Sequence, residues 1–253
     1  MRSQEKTWDK LGRLAPYYSV LVAEEFKPEN LTTENLAAFF ASGRGHVTRL
    51  MEIVHEFRPG YMPRTVLDFG CGVGRVTIPL AEASDRVIAV DISEPMLEQA
   101  RENCRSRNLA NVEFMTSGEF LQLPEACVNF VHSYIVLQHI PKREGYALIG
   151  KLISVLQEGG VGAIHVSFHD QRSSVRRLLS WTKSHVPGAA RMHSLLRRDG
   201  ANYPPMQMNA YRLDTVFQML YEGDCHRVLT HFSRHGPHLG LLLIFEKTPQ
   251  ESF

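Results

Sequence analysis

The sequence predicts an α/β fold, a parallel sheet with helices over both faces. Three observations carry the prediction. From Thr65 onward, short apolar runs alternate with helical patterns. Those runs are continuous rather than alternating, as in strands that are covered on both sides. The first, Thr65 to Phe69, breaks into Gly70-Cys71-Gly72-Val73-Gly74, and a helical pattern opens behind it at Arg75. Such a strand–glycine turn–helix unit lets backbone approach a ligand closely and turns helix N-terminal amides toward it.

Taken in order, the residues ahead of Thr65 read as helical. Trp8, Leu11 and Leu14 sit at helix spacing, Pro16 interrupts, and Tyr17 to Phe26 forms a second stretch carrying Tyr18, Leu21, Val22 and Glu25. Thr33 is expected to cap a longer helix containing Leu36, Phe39, Phe40, Val47, Leu50, Met51, Val54 and Phe57. The Ser42-Gly43-Arg44-Gly45 tract is expected to interrupt that helix, and Pro59-Gly60 to end it. Val87 to Val90 is a strand ending in Asp91. Ser93 then caps a helix that has Pro95 in its first turn, runs to about Arg107, and carries Met96, Ala100 and Cys104 on one face. Asn111 to Met115 and Cys127 to Tyr134 are the third and fourth strands. A helix from about Lys142 to Gln157 stops at Gly159-Gly160, and Val161 to Phe168 is the fifth strand. A helix from Tyr211 to Tyr221 and two strands, Arg227 to Phe232 and Leu239 to Phe245, complete the chain. The last two are joined through Gly236-Pro237 and should pair antiparallel.

Residues 171–208 depart from this rhythm, with an excess of arginine, Trp181, Pro187-Gly188 and Pro204-Pro205. Three parts are therefore expected: an N-terminal helical cap (1–63), a core (64–170 and 209–253) and an inserted helical lid (171–208). The lid's Arg172, Arg176, Arg177, Lys183, Arg191, Arg197 and Arg198 are expected to face water, to meet an anionic acceptor or, third, to lie on a membrane surface. With 253 residues, 43% hydrophobic and 22% charged, the chain suits one well-cored domain with an appendage. A net charge of +1 gives no global field toward nucleic acid or membrane. Four cysteines without Cys-x-x-Cys spacing argue against a zinc site or a disulfide scaffold, and no apolar run approaches spanning length. A reduced, cytoplasmic protein is the expectation. Nothing in the sequence sets the oligomeric state.

The glycines do not suit a dinucleotide. A Gly-x-Gly-x-x-Gly/Ala frame puts Arg75 or Thr77 at its last position, and no Gly-Lys-Ser/Thr follows for a triphosphate. Asp68, just ahead of the turn, would repel a diphosphate and suits a ligand carrying an amine. Asp91, about twenty residues on, is placed to accept both ribose hydroxyls. With these residues in place, Asp68-Phe69-Gly70-Cys71-Gly72-Val73-Gly74 closely resembles motif I of the class I S-adenosylmethionine-dependent methyltransferases. The fourth strand and the following Ile135-Val136-Leu137-Gln138-His139-Ile140-Pro141 resemble the small-molecule members called type 11, although Asn129 stands where they usually carry Asp.

The resemblance implies a Rossmann-like, seven-stranded sheet, mainly parallel with an antiparallel last strand, and S-adenosyl-L-methionine as cofactor. It places Asp68, Gly70, Cys71, Gly72, Gly74 and Arg75 around the cofactor, Asp91 on the ribose, and Ile92 and Met96 beside it. Ser117, Gly118, Glu119 and Phe120 would surround the adenine, with Ser117 or Glu119 holding its amine, and Ser133 would lie under the methionine part. His139 and His169, at strand ends facing the site, are the candidate general bases. His165, His169 and Asp170 are not read as metal ligands, because His165 lies back inside a strand. His231, His235 and His238 flank the last turn and read as solvated surface. The expected activity is methyl transfer to a small-molecule acceptor, on oxygen ahead of nitrogen. The alternatives are a nicotinamide-dependent oxidoreductase and a catalytically silent S-adenosylmethionine-binding protein. A nucleic-acid acceptor is disfavoured, since no Asn/Asp-Pro-Pro-Tyr/Phe follows the fourth strand.

Overall fold

The computed structural model of the protein describes residues 2–172, 203–204 and 206–248. Seven strands form one sheet: β1 (Thr65–Phe69), β2 (Arg86–Asp91), β3 (Val112–Thr116), β4 (Val128–Ser133), β5 (Leu156–Asp170), β6 (Arg227–His235) and β7 (His238–Glu246). Their order is β3-β2-β1-β4-β5-β7-β6. The first five run parallel, and β7 lies antiparallel to both β5 and β6. Strand order reverses at β1, between β2 and β4, so the crevice for a ligand opens at the carboxyl ends of these strands.

Helices cover both faces. On one lie α3 (Thr33–Phe57), α4 (Thr77–Glu82) and α5 (Glu94–Arg105); on the other lie α6 (Ser117–Phe120), α7 (Lys142–Ser154) and α8 (Leu213–Glu222). Ile149, Leu152 and Ile153 of α7 and Val216 and Leu220 of α8 pack with Leu67, Val131 and Ile164 of the sheet. Val47, Leu50, Ile53, Val54 and Phe57 of α3 pack on the opposite face with Val66, Phe130 and Val161. Of the 1–63 segment expected as a cap, α3 is therefore a layer of the core. The remainder, α1 (Arg2–Leu14), α2 (Pro16–Val20) and two short 3-10 turns, sits against α5 and the glycine turn.

Helix α3 does not break at Ser42-Gly43-Arg44-Gly45. Each glycine costs a helix about 1 kcal/mol relative to alanine, while each large apolar side chain buried on this face contributes about 1.5–3 kcal/mol. Five such side chains outweigh two glycines. The cap is Thr32 rather than Thr33, its hydroxyl accepting the Asn35 amide at 3.2 Å. Gly43 has a packing reason: a Cβ there would fall 1.9 Å from the Arg75 carbonyl oxygen. Its absence lets α3 lie directly on the turn after β1.

Other boundaries moved too. The helix behind the turn starts at Thr77, not Arg75. Helix α7 ends at Ser154, and β5 begins at Leu156 opposite Val128, with a register shift before Phe130 meets Val161. Gly159-Gly160, read as a helix stop, sits inside that irregular stretch, where the Gly159 amide donates to the Lys247 carbonyl at 2.7 Å. Of the expected lid, residues 173–202 and 205 lie outside the described residues; Arg172 pairs with Asp170 at 2.7 Å. Among the described residues no helix is long and apolar enough to cross a membrane.

Gly43→Ala should destabilise the fold by about 1–3 kcal/mol, the usual cost of overpacking a tight contact. Thermal unfolding followed by circular dichroism measures it. A melting midpoint equal to that of the parent would mean that α3 and the turn separate without cost.

Candidate active site

A cavity of about 680 Å³ opens at the carboxyl ends of β1, β2 and β4, within the roughly 300–1,000 Å³ of small-molecule sites. The glycine turn forms one wall. Gly70, Gly72 and Gly74 have φ of 82°, 54° and 85°, the left-handed region that other residues enter only with strain. The amides of Gly70 and Cys71 both donate to the Val90 carbonyl, at 2.8 and 2.9 Å, and pin the turn to β2. Space is short as well: a Cβ on Gly70 would meet Val136 Cγ2 at 2.2 Å, and one on Gly72 would meet Val20 Cγ2 at 2.7 Å. Gly70, Cys71, Gly72 and Arg75 line the cavity. Gly74 does not; it backs onto Ala100 and serves the turn alone.

Asp91, at the end of β2, is half-buried in the same wall. Its Oδ2 accepts the Gly72 amide at 2.9 Å and its Oδ1 the Ser93 amide at 3.0 Å. Each oxygen keeps a lone pair for a ligand. Burial pushes the carboxyl up to about 6, against the downward pull of the Ser93 and Gly72 amides. Ile92, Met96 and Ser117 continue the lining beside it.

The rest of the third-strand tract does not reach the cavity. It coils into α6 behind a capping box, in which Glu119 accepts from the Thr116 amide at 2.6 Å and from its hydroxyl at 2.8 Å. Glu119 and Gly118 are exposed, and these hydrogen bonds hold the Glu119 carboxyl low. Phe120 is fully buried in the core, its ring 5.1 Å from that of Phe69. Of the four residues expected there, only Ser117 faces the cavity.

Past β4 the chain turns sharply. Ser133 is fully buried off the cavity, its hydroxyl without a partner. Ile135 has φ of 61°, a conformation that costs a β-branched residue about 1–3 kcal/mol, and it lines the cavity with Tyr134 and Val136. His139 also reaches the cavity. Its Nδ1 lies 2.8 Å from the Gln207 carbonyl and so carries the hydrogen, leaving the Nε2 lone pair with only the Gln138 amide nitrogen at 3.4 Å. Burial lowers the pKa of His139, the Gln207 carbonyl working the other way. Trp8 meets the ring edge-on at 5.3 Å, and Gln4 bridges the His139 and Gln207 carbonyls of backbone and side chain at 2.8 and 3.1 Å. His169 does not join it. β5 shifts register between Ser167 and His169, and His169 emerges exposed, away from the cavity.

Asp68 was expected at the site; its partner His132 was not, nor was His235. Asp68 and His132 both line the cavity while only 2% exposed, joined Oδ1 to Nδ1 at 2.8 Å. A signal for this pair was present: Asp68 is an acid within the apolar run of β1, and His132 follows the apolar Phe130-Val131 of β4. His235, read as solvated surface, faces the cavity with its Nε2 3.4 Å from the Tyr134 hydroxyl, because the β6–β7 turn folds over the strand ends. Burial lowers its pKa. Asn129 fastens the start of β1 instead of serving the site, its Oδ1 accepting the Arg64 and Thr65 amides at 2.9 Å. Among the described residues no three His, Cys, Asp or Glu converge as a metal site.

Residues 66–160 match the family model described as a methyltransferase domain. Over 125 residues the chain is 33% identical to phosphoethanolamine N-methyltransferase 1 of Triticum aestivum, covering 47% of this chain and 25% of that protein. Over 112 residues it is 32% identical to the 23S rRNA (uracil(1939)-C(5))-methyltransferase RlmD of Alcanivorax borkumensis, covering 43% and 23%. The chain thus spans about a quarter of the length of these curated relatives. In fold it is similar to the magnesium protoporphyrin IX methyltransferase (ChlM) of Synechocystis PCC 6803, crystallised with bound SAH. That match has a TM-score of 0.63 at 16% identity and covers 98% of this chain and 99% of the other.

Proposed function

We propose that this chain, which carries a class I methyltransferase domain, transfers the sulfonium methyl of S-adenosyl-L-methionine to a small-molecule acceptor, at oxygen in preference to nitrogen. The observation that carries the reading is the left-handed glycine turn set against Asp91. Bare backbone lies beside a carboxylate whose oxygens each hold one amide and keep a lone pair for a ribose hydroxyl.

The remaining donors fit the rest of that cofactor. Arg75 brings a guanidinium to the cavity, its Nε buried and without a partner among the described residues, which suits the α-carboxylate. Asp68 supplies negative charge for the α-ammonium. Ile92, Met96 and Leu121 offer an apolar slot for the adenine, with Ser117 beside it. When bound, the cofactor supplies an electrophilic methyl group. The protein's part is to exclude water and to align the acceptor, with Trp8, Val20 and Leu21 walling the cavity from the N-terminal side. A hydroxyl acceptor must also lose a proton, and neutral His139 can take it at Nε2, whose lone pair faces the Gln138 amide at a long 3.4 Å that an acceptor hydroxyl would displace.

A largely apolar cavity of small-molecule size and a net charge of +1 support a small molecule over a nucleic acid. The arginines of residues 171–208, read as a lid over the acceptor, support an anionic one. Free cysteines, three of them buried, support a reducing cytoplasmic setting.

Calorimetry should show binding of S-adenosylmethionine and S-adenosylhomocysteine and none of NAD. Asp91→Ala should lose hydrogen bonds to charge worth about 1.5–3 kcal/mol each, and with them about tenfold or more in affinity. Because only the ionised Asp91 accepts charge-assisted bonds at both oxygens, and burial raises it to about 6, affinity is expected to be near full at neutral pH. It should fall as pH drops through that value, by about tenfold near pH 5. A flat pH profile, or unchanged affinity in folded Asp91→Ala, would remove this residue from the site. In a methyl-transfer assay over an acceptor panel, His139→Ala should lower turnover by about 10²–10⁴ with cofactor affinity intact. A loss under about threefold would leave positioning alone to carry the reaction. Cofactor binding with no transfer to any acceptor would indicate a silent binding protein.

A further inference from the structure

The Asp68–His132 pair does not end at His132. On β1 and β4 the two residues stand in register, each 2% exposed. Asp68 Oδ2 accepts the Thr77 hydroxyl at 2.6 Å, and Oδ1 takes His132 Nδ1 at 2.8 Å. His132 Nε2 then lies 3.1 Å from Nε2 of His46, on α3. The His46 ring rests on Tyr134 at 4.4 Å. A hydrogen-bonded chain thus runs from the core helix through the sheet to motif I and the cavity wall.

The groups facing it are Thr77 and Arg75 behind the turn, Tyr134 at the end of β4 and His165 on β5. Burial, with His132, Arg75 and His165 nearby, pulls His46 down to about 3, so it is neutral at working pH. With Asp68 a carboxylate, the hydrogens have one consistent arrangement. His132 donates from Nδ1 to Asp68, and its bare Nε2 accepts the Nε2 hydrogen of His46. Every polar atom along the line from Thr77 to His46 Nε2 is then satisfied.

Such a chain is costly to bury. Desolvating a charged group costs several kcal/mol, and two apolar residues would pack between strands without that penalty. What it secures is a carboxylate held in one place and one orientation on the cavity wall, one oxygen on the Thr77 hydroxyl and the other on His132 Nδ1. We propose that His132, backed by His46, is a positioning residue for the amino-acid part of the cofactor. It holds Asp68 oriented for the α-ammonium without itself touching the ligand. The inference rests on the cavity being the S-adenosylmethionine site.

Two probes separate this role from general damage. S-Adenosylhomocysteine carries the amino-acid part; 5′-methylthioadenosine has the adenosine and sulfur without it. By calorimetry, His132→Phe should weaken the first by about tenfold or more, the loss of one hydrogen bond to a charged group, and leave the second unchanged. His132→Asn, whose amide can replace the Nδ1 hydrogen, should recover most of the loss, and His46→Phe should show a smaller one. His132→Phe added to Asp68→Asn should cost nothing further, because both act on one interaction. Equal weakening of both ligands by His132→Phe would make the chain structural and overturn the inference, as would wild-type affinity for both. A wild-type protein that binds neither ligand would overturn the reading of the site itself, and this inference with it.

Discussion

The constraint on which the structure turns is the fastening of the glycine turn to the end of β2. Two consecutive amides, of Gly70 and Cys71, share the Val90 carbonyl, and the next one along, of Gly72, reaches Asp91. Chain direction has to reverse within this short span, which needs left-handed backbone at Gly70 and Gly72. The same bonds place Asp91 beside bare backbone. Fold and binding wall are thus set by one group of contacts, and neither can be altered without the other.

Around that turn the protein closes in from three sides. Val136 of the post-β4 loop and Val20 of α2 stand where side chains on Gly70 and Gly72 would be, and α3 passes over the Arg75 carbonyl at Gly43. Close approach explains why glycines appear in places where local propensity alone disfavours them. It also explains the strain at Ile135. That residue holds a left-handed conformation just before the loop packs onto Gly70, and the surrounding core supplies the stability that sustains it.

The sheet, its parallel strands and the antiparallel final pair were legible in the sequence, because apolar runs and glycine punctuation are local signals. Motif I and Asp91 were legible for the same reason. What escaped was decided by contacts between distant segments. Gly43 reads as a helix breaker until Arg75 is seen beneath it. Gly159-Gly160 reads as a stop until β5 is seen pairing with β4 on one side and Lys247 on the other. Glu119 reads as a ligand-facing acid, yet the four-residue capping box from Thr116 claims it first. His169 and His235 exchanged roles for a similar reason. A register shift in β5 turns one outward, and the final hairpin carries the other over the cavity.

Buried polar residues in apolar strands form a middle case. Asp68 and His132 were visible as anomalies, each a polar side chain in a run that packs on both sides, but the sequence does not say that they meet. Register decides it: parallel pairing of β1 with β4 sets the two at one height, and the same pairing brings His132 within reach of α3. Two isolated buried polar groups would each destabilise the sheet. Joined, and extended to Thr77 and His46, they satisfy one another and fix the Asp68 carboxyl at the cavity wall. The α3 layer therefore does two things at once. Its apolar stripe covers the sheet, and His46, one residue before that stripe resumes at Val47, completes the polar chain behind the binding wall.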